Sequence, residues 1–127
     1  MAKSLSRNWH LRSAEDFGYL RQHARRPLQE GGVRVYFARS RLALAYSRLG
    51  MSISKKSGVA VQRNRLRRCW REIFQKDPVF DLGLDVLAVL SPRTKIGARC
   101  SLAEQQLKEA WRHLLQRMAQ ETAWGKK

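Results

Sequence analysis

Lys55-Lys56-Ser57-Gly58-Val59-Ala60-Val61-Gln62-Arg63-Asn64-Arg65-Leu66-Arg67-Arg68-Cys69-Trp70-Arg71 carries seven basic side chains and no acid. On a 3.6-residue wheel Val59, Leu66, Trp70 and Ile73 share one face, with Cys69 and Phe74 at its margins. Arg63, Arg67 and Arg71 form an i, i+4 row on one flank, and Asn64 and Arg68 form the next. Arg65 lies across the helix near Glu72. A helix patterned in this way presses its apolar stripe onto a core and turns its arginines outward as an ordered array.

The segments around this helix supply the sheet it needs. Upstream, Leu49, Met51 and Ile53 alternate as in a strand, and Ser54 to Gly58 turns the chain into the helix. Residues 40–47 are open to two readings: Leu42, Leu44 and Tyr46 alternate like a strand but equally suit an apolar loop. Val33, Val35 and Phe37 alternate with Arg34, Tyr36 and Ala38, giving a strand with two distinct faces. Pro27 and Gly31-Gly32 break the chain before it. Ser13 and Asp16 have capping-box spacing, and Phe17, Leu20 and Ala24 predict a helix over about 14–24.

Downstream, Asp77-Pro78 ends the basic helix. Leu84 to Leu90 is nearly continuous apolar sequence, as in a strand buried on both faces, and Ser91-Pro92 closes it. Ser101 and Glu104 repeat the capping-box spacing. Leu107, Ala110, Trp111, Leu114, Leu115 and Met118 then mark an amphipathic helix to about Thr122. Residues 1–12 read as a loose basic arm and 123–127 as a frayed tail. The predicted fold class is α+β: one domain over 1–127, a small two-layer α/β sandwich. Its order is α-β-β-(β)-α-β-α, with the strands before the basic helix forming a β-hairpin.

Composition narrows the function. With 127 residues, 43% of them hydrophobic, the chain has material for one core. Its net charge of +16 points first to nucleic acid, and only distantly to an anionic membrane surface. No apolar run reaches the ~20 residues of a membrane-spanning helix. The start of the chain lacks the apolar core of a signal peptide. Cys69 and Cys100 have neither metal-ligand nor redox-motif spacing, which suits a reduced, cytoplasmic setting. No obligate protein partner is evident.

Between Glu30 and Glu72 there are eleven Arg and Lys and no acid. Solvated helix faces, the plainer reading of a charge run, usually mix signs to gain i, i+4 pairs. Arg offers phosphate a planar fork that never deprotonates, and one helical turn spaces successive guanidinium groups by ~5–6 Å. The candidate RNA-binding residues are Lys55, Lys56, Arg63, Asn64, Arg65, Arg67, Arg68 and Arg71. Lys55-Lys56-Ser57-Gly58 adds point charge and backbone N–H groups where the helix starts, although an ordinary strand-to-helix turn has the same composition. Phe17 and Tyr36 are candidate stacking platforms for single-stranded bases, with core packing as the alternative. Catalytic and metal sets are missing. His10, His23 and His113 are scattered, and Asp77, Asp81 and Asp85 read as cap and turn residues. We expect an RNA or DNA binder that does not itself cut.

Arg48-Leu49-Gly50-Met51-Ser52-Ile53-Ser54-Lys55-Lys56, followed by Ala60-Val61, Arg63-Asn64-Arg65-Leu66-Arg67-Arg68, Arg71-Glu72 and Phe74, resembles the protein subunit of bacterial ribonuclease P. The resemblance spans about residues 7–120, with weaker points at Leu11, Asp16-Phe17 and Asp85. It implies a ribonucleoprotein whose RNA, with Mg²⁺, removes the 5′ leader from precursor tRNA. The ribonuclease P RNA would bind the Arg63–Arg71 helix and the Lys55-Lys56 turn. A cleft between the first helix and the sheet, with Phe17 and Tyr36, would hold the leader. The resemblance also implies a fold like the second domain of a small-subunit ribosomal protein, with a left-handed βαβ crossover. Arg67 stands where the family more often has Lys, His10 where it often has Arg, and Arg21 where some members are aromatic. A structural RNA binder of ribosomal type and a protein nuclease are the rival classes.

Overall fold

Leu84–Leu90 becomes the strand on which the other elements are built, because its side chains are apolar on both sides of the pleat. The structure, a computed structural model, describes residues 14–24, 27–40 and 45–125. Three helices, α1 (Ala14–His23), α2 (Ala60–Lys76) and α3 (Leu102–Gly125), accompany four strands. The strands are β1 (Leu28–Glu30), β2 (Val33–Arg39), β3 (Arg48–Ile53) and β4 (Leu84–Leu90), arranged in one sheet of order β1-β2-β4-β3. β4 pairs antiparallel with β2 and parallel with β3. α2 is the crossover that the parallel β3–β4 pair requires.

The mixed α+β class is as expected, but the hairpin is a different one. β2 and β3 do not pair, because β4 lies between them. The hairpin joins β1 to β2 through Gly31-Gly32, with Leu28 opposite Val35 and Glu30 opposite Val33. Both glycines have positive φ, 57° and 84°, as a tight two-residue turn of this hand requires. A Gly-Gly pair before an alternating run is a hairpin signal; read only as a break, it hid the short strand ahead of it. Within residues 40–47, only Ser40 and 45–47 are described. There the Ser47 hydroxyl donates to the Val79 carbonyl at 2.7 Å and accepts from the Leu84 N–H at 2.9 Å.

The two sheet faces are covered unequally. Leu84, Val86, Ala88 and Leu90 of β4 join Val33, Val35, Leu49 and Ile53 in the main core beneath α2 and α3. Trp70 and Trp111, both fully buried, stack there at 4.9 Å, and Trp111 Nε1 donates to the Trp70 carbonyl at 3.1 Å. On the other face α1 packs through Leu20 over Leu87, with Phe17, Tyr36 and Val89 around them.

Two wheel assignments change. Val59 is 64% exposed, because it is the extended residue before α2 and lies outside the helix. Phe74 is fully buried and central to the stripe instead of marginal to it. α3 also continues to Gly125, past the expected end at Thr122. Ser13, the arm over 1–12 and the last two residues lie outside the described residues.

Asp16, expected as a cap partner, is committed to Arg48. Its carboxylate accepts from Arg48 Nη1 and Nη2 at 3.2 and 3.0 Å, while Asp85 accepts from Arg48 Nε and Nη2 at 3.0 and 2.9 Å. All three side chains are buried. The Asp85 hydrogen bonds, opposed by burial and aided by Asp16, push the Arg48 guanidinium above its ordinary range, so it stays charged. One cation thus joins α1, β3 and β4. Replacing Arg48 by Met should cost about 3–5 kcal/mol of folding stability, because two buried carboxylates lose their guanidinium. Urea unfolding measures this, and a loss below about 1 kcal/mol would contradict the role assigned to Arg48.

Candidate nucleic-acid interface

α2 acquires its exposed arginines by elimination. Leu66, Trp70 and Phe74 occupy the core side, so the intervening positions must face outward. Asn64 and Arg68 are exposed, while Arg63, Arg67 and Arg71 are half-buried along the flank of the stripe. Arg63 Nε donates to the Gly58 carbonyl at 3.1 Å, which holds the side chain over the helix start. Arg67 Nη1 lies 3.4 Å from Asn64 Oδ1, so the two candidate rows meet. No acidic side chain occurs among these positions before Glu72.

The approach to α2 is a built turn. Ser54 caps the single 3-10 turn Lys55–Ser57 by accepting from the Lys56 N–H at 3.1 Å. Gln62 Oε1 accepts from the Val59 N–H at 3.0 Å, satisfying a donor at the start of α2. Buried Ser57 donates to the Ser91 carbonyl and accepts from the Ile96 N–H, which ties the 91–97 segment alongside. Lys55 and Lys56 are therefore exposed on a fixed scaffold. Lys95, which sequence reasoning missed, joins them: its Nζ donates to the Lys56 carbonyl at 2.5 Å. Lys55, Lys56, Arg63 and Lys95 line one shallow open depression. Lys95 is 39 residues from Lys56 in sequence, so no local pattern could have placed it there.

Arg65 does not stand with the other arginines. Its Nε donates to Glu104 Oε2 at 2.6 Å and its Nη2 to the Gly97 carbonyl at 3.2 Å. The Arg65 hydrogen bond, helped by the Cys100 N–H, holds the Glu104 carboxyl below its ordinary range. Glu104 also departs from the expected capping box. Ser101 Oγ accepts from the Glu104 N–H, but the carboxylate reaches back to Cys100 instead of Ser101.

The second candidate region lies on the α1 face of the sheet. Strand register arranges it in rows across β2, β4 and β3: Ala38, Asp85 and Arg48; then Tyr36, Leu87 and Gly50; then Arg34, Val89 and Ser52. The first row is sealed by Asp16. The last is the most open, with Arg34 and Ser52 exposed and Val89 half-buried. Tyr36 is half-buried between them and accepts a long hydrogen bond from Arg34 Nη1 at 3.5 Å. Phe17 is half-buried on the same side, so the two candidate stacking residues do share one face.

Among the described residues, no three His, Cys, Asp or Glu side chains come together as metal ligands. Burial pushes the Cys69 thiol up, which keeps it protonated and unreactive. No helix of the described residues is long and apolar enough to cross a membrane.

A family model described as ribonuclease P matches residues 5–119. The chain belongs to the ribonuclease P protein family. Among curated relatives, the ribonuclease P protein component of Thermotoga maritima is 35% identical over 97 residues, covering 76% of this chain and 79% of that one. The component from Finegoldia magna is 33% identical over 87 residues, covering 64% of this chain and 73% of that one. Among solved structures, the RNase P protein from Thermotoga maritima superposes with a TM-score of 0.62 at 29% identity, covering 85% of this chain and 96% of that one. A mutant RNase P protein of Staphylococcus aureus matches the fold with a TM-score of 0.71 at 22% identity, covering 92% and 93%.

Because the folded-state pKa of Glu104 is depressed, the stability it contributes is complete above the ordinary carboxylate value of 4.5 and is lost as pH falls through the depressed value. The stability gap between wild type and Glu104→Gln should therefore be widest at neutral pH and shrink below about pH 4. Denaturant unfolding over a pH series measures it; a gap that grows on acidification reverses the sign and refutes the assignment.

Proposed function

We propose that this chain is the protein component of a ribonuclease P holoenzyme acting in tRNA 5′ maturation in the cytoplasm. α2 and the Lys55-Lys56 turn dock on the ribonuclease P RNA, and the α1 face receives the 5′ leader of precursor tRNA. The observation that carries this reading is the acid-free array on α2 in a chain of this family, held rigid by buried Leu66, Trp70 and Phe74. Fixed guanidinium groups lose little side-chain entropy on meeting phosphates, and each contact releases condensed counterions. We assign the Mg²⁺ and the hydrolytic chemistry to the RNA, as the resemblance to the ribonuclease P family implies. The chain's part is to bind and orient.

The row geometry supports the leader-site reading. Tyr36 supplies a half-buried aromatic ring, Val89 a half-buried apolar floor and Arg34 a cation at the open end. Such a surface suits a single strand, whose bases stack on aromatic and apolar groups while its phosphates meet cations.

Arg67→Ala and Arg68→Ala should each weaken RNA binding and each lower the slope of log affinity against log salt by about 1. In reconstitution with ribonuclease P RNA at low Mg²⁺, wild-type protein should restore precursor cleavage and the Arg63/Arg67/Arg68→Ala triple variant should not. Failure of the wild-type protein to stimulate cleavage would favour a structural RNA binder of ribosomal type. Cutting by the protein without RNA would reveal a nuclease. Tyr36→Ala should weaken binding of leader-bearing precursor roughly tenfold while leaving mature tRNA nearly unaffected; equal losses on both ligands would remove Tyr36 from the leader site.

A further inference from the structure

Arg65 lies within the sequence signature of the basic helix, yet its guanidinium is committed to the protein itself. Its side chain is 19% exposed and that of Glu104 9%, with both hydrogen bonds of the fork made inside the chain. The bonds reach two places at once. Glu104 lies in the first turn of α3, and Gly97 lies in the connection from β4 to α3. The chain packs closely around Gly97. The residue has φ +83°, and a Cβ there would lie 2.8 Å from Ser101 Oγ and 3.0 Å from Ala103 Cβ. Next to it, Ile96 is fully buried and its N–H is held by the Ser57 carbonyl at 3.0 Å. Lys95, on the other side of Ile96, is the residue that completes the rim of the depression with Lys55, Lys56 and Arg63.

We propose that Arg65 is a positioning residue and not an RNA contact: through Glu104 and Gly97 it fixes the β4–α3 connection so that Lys95 stands in the phosphate-binding rim at the start of α2. The proposal rests on the reading of α2 as the RNA-docking helix. It separates Arg65 from its neighbours in the signature. Arg67 and Arg68 act on phosphate, while Arg65 sets where a cation from a distant segment stands.

The test uses full-length protein and in vitro transcribed ribonuclease P RNA, titrated over a salt series with the folded fraction measured for each variant. Glu104→Gln keeps an acceptor for the Cys100 N–H but removes the charge that holds Arg65. Arg65→Lys keeps the positive charge but lacks the planar fork. Each should weaken RNA binding several-fold, by no more than the loss of Lys95 itself, and the double variant should be no weaker than the weaker single. Lys95→Ala alone should weaken binding several-fold and lower the salt slope by about 1. In the Arg65→Lys background it should cost nothing further, because Lys95 is already displaced. A pin that only stabilised the fold would leave the Lys95 effect undiminished, and that additivity would overturn the proposal. So would tighter binding by Glu104→Gln, the result expected if a freed Arg65 reached phosphate, or wild-type binding by Arg65→Lys. Arg67→Ala and Arg68→Ala run alongside. If they weaken binding while the Arg65 and Glu104 variants do not, docking through α2 stands and the positioning role alone falls. If they bind as wild type does, both readings fall.

Discussion

Arg48, buried between Asp16 and Asp85, is the constraint on which the arrangement depends. α1 has a short apolar contact, chiefly Leu20 on Leu87, and lies on the face away from the main core. Hydrophobic contact is non-directional and fixes neither the angle nor the register of so small a helix. The guanidinium does, because its donors are planar and point at carboxylates from two different elements. The same side chain seals one end of the α1 face and leaves the other, at Arg34 and Ser52, open. An ion cluster, beside that small apolar contact, thus joins α1 to β3 and β4. Buried ion pairs are a poor source of net stability compared with apolar packing; here the cluster supplies direction.

The opposite face follows a different logic. α2 and α3 are joined by stacked indoles and by the fork of Arg65, one contact apolar and central, the other polar and peripheral. Between them they decide which basic residues are presented. Residues of the α2 stripe go inward, Arg65 goes sideways to α3, and the remaining cations face out. The array is thereby narrower than the raw charge suggests, but Lys95 extends it from outside the helix.

Several parts were legible in the chain itself. Periodicity located α2, α3 and β4, since each buries a stripe or a face whose spacing is fixed by local geometry. The acid-free window marked the charged face for the same reason. What failed was local in a second sense. Val59 precedes the first turn of α2, so a wheel that includes it starts one residue early, and β1 is too short for an alternating pattern to show. Phe74 looked marginal because a wheel assumes an ideal stripe direction, whereas the sheet beneath α2 selects the side that fits.

The sequence by itself determined the class of element at most positions, the sign and density of charge on α2, and the family through the Arg48-to-Phe74 signature. The tertiary structure alone decided the strand order, the pairing of Arg48 with Asp16 and Asp85, the diversion of Arg65 to Glu104 and the arrival of Lys95 beside Lys56. The physical reason is range. Helix and strand periods are set by neighbours within a few residues, while these contacts join groups 32 to 39 residues apart. Only the closed sheet and packed helices bring such groups within hydrogen-bond reach.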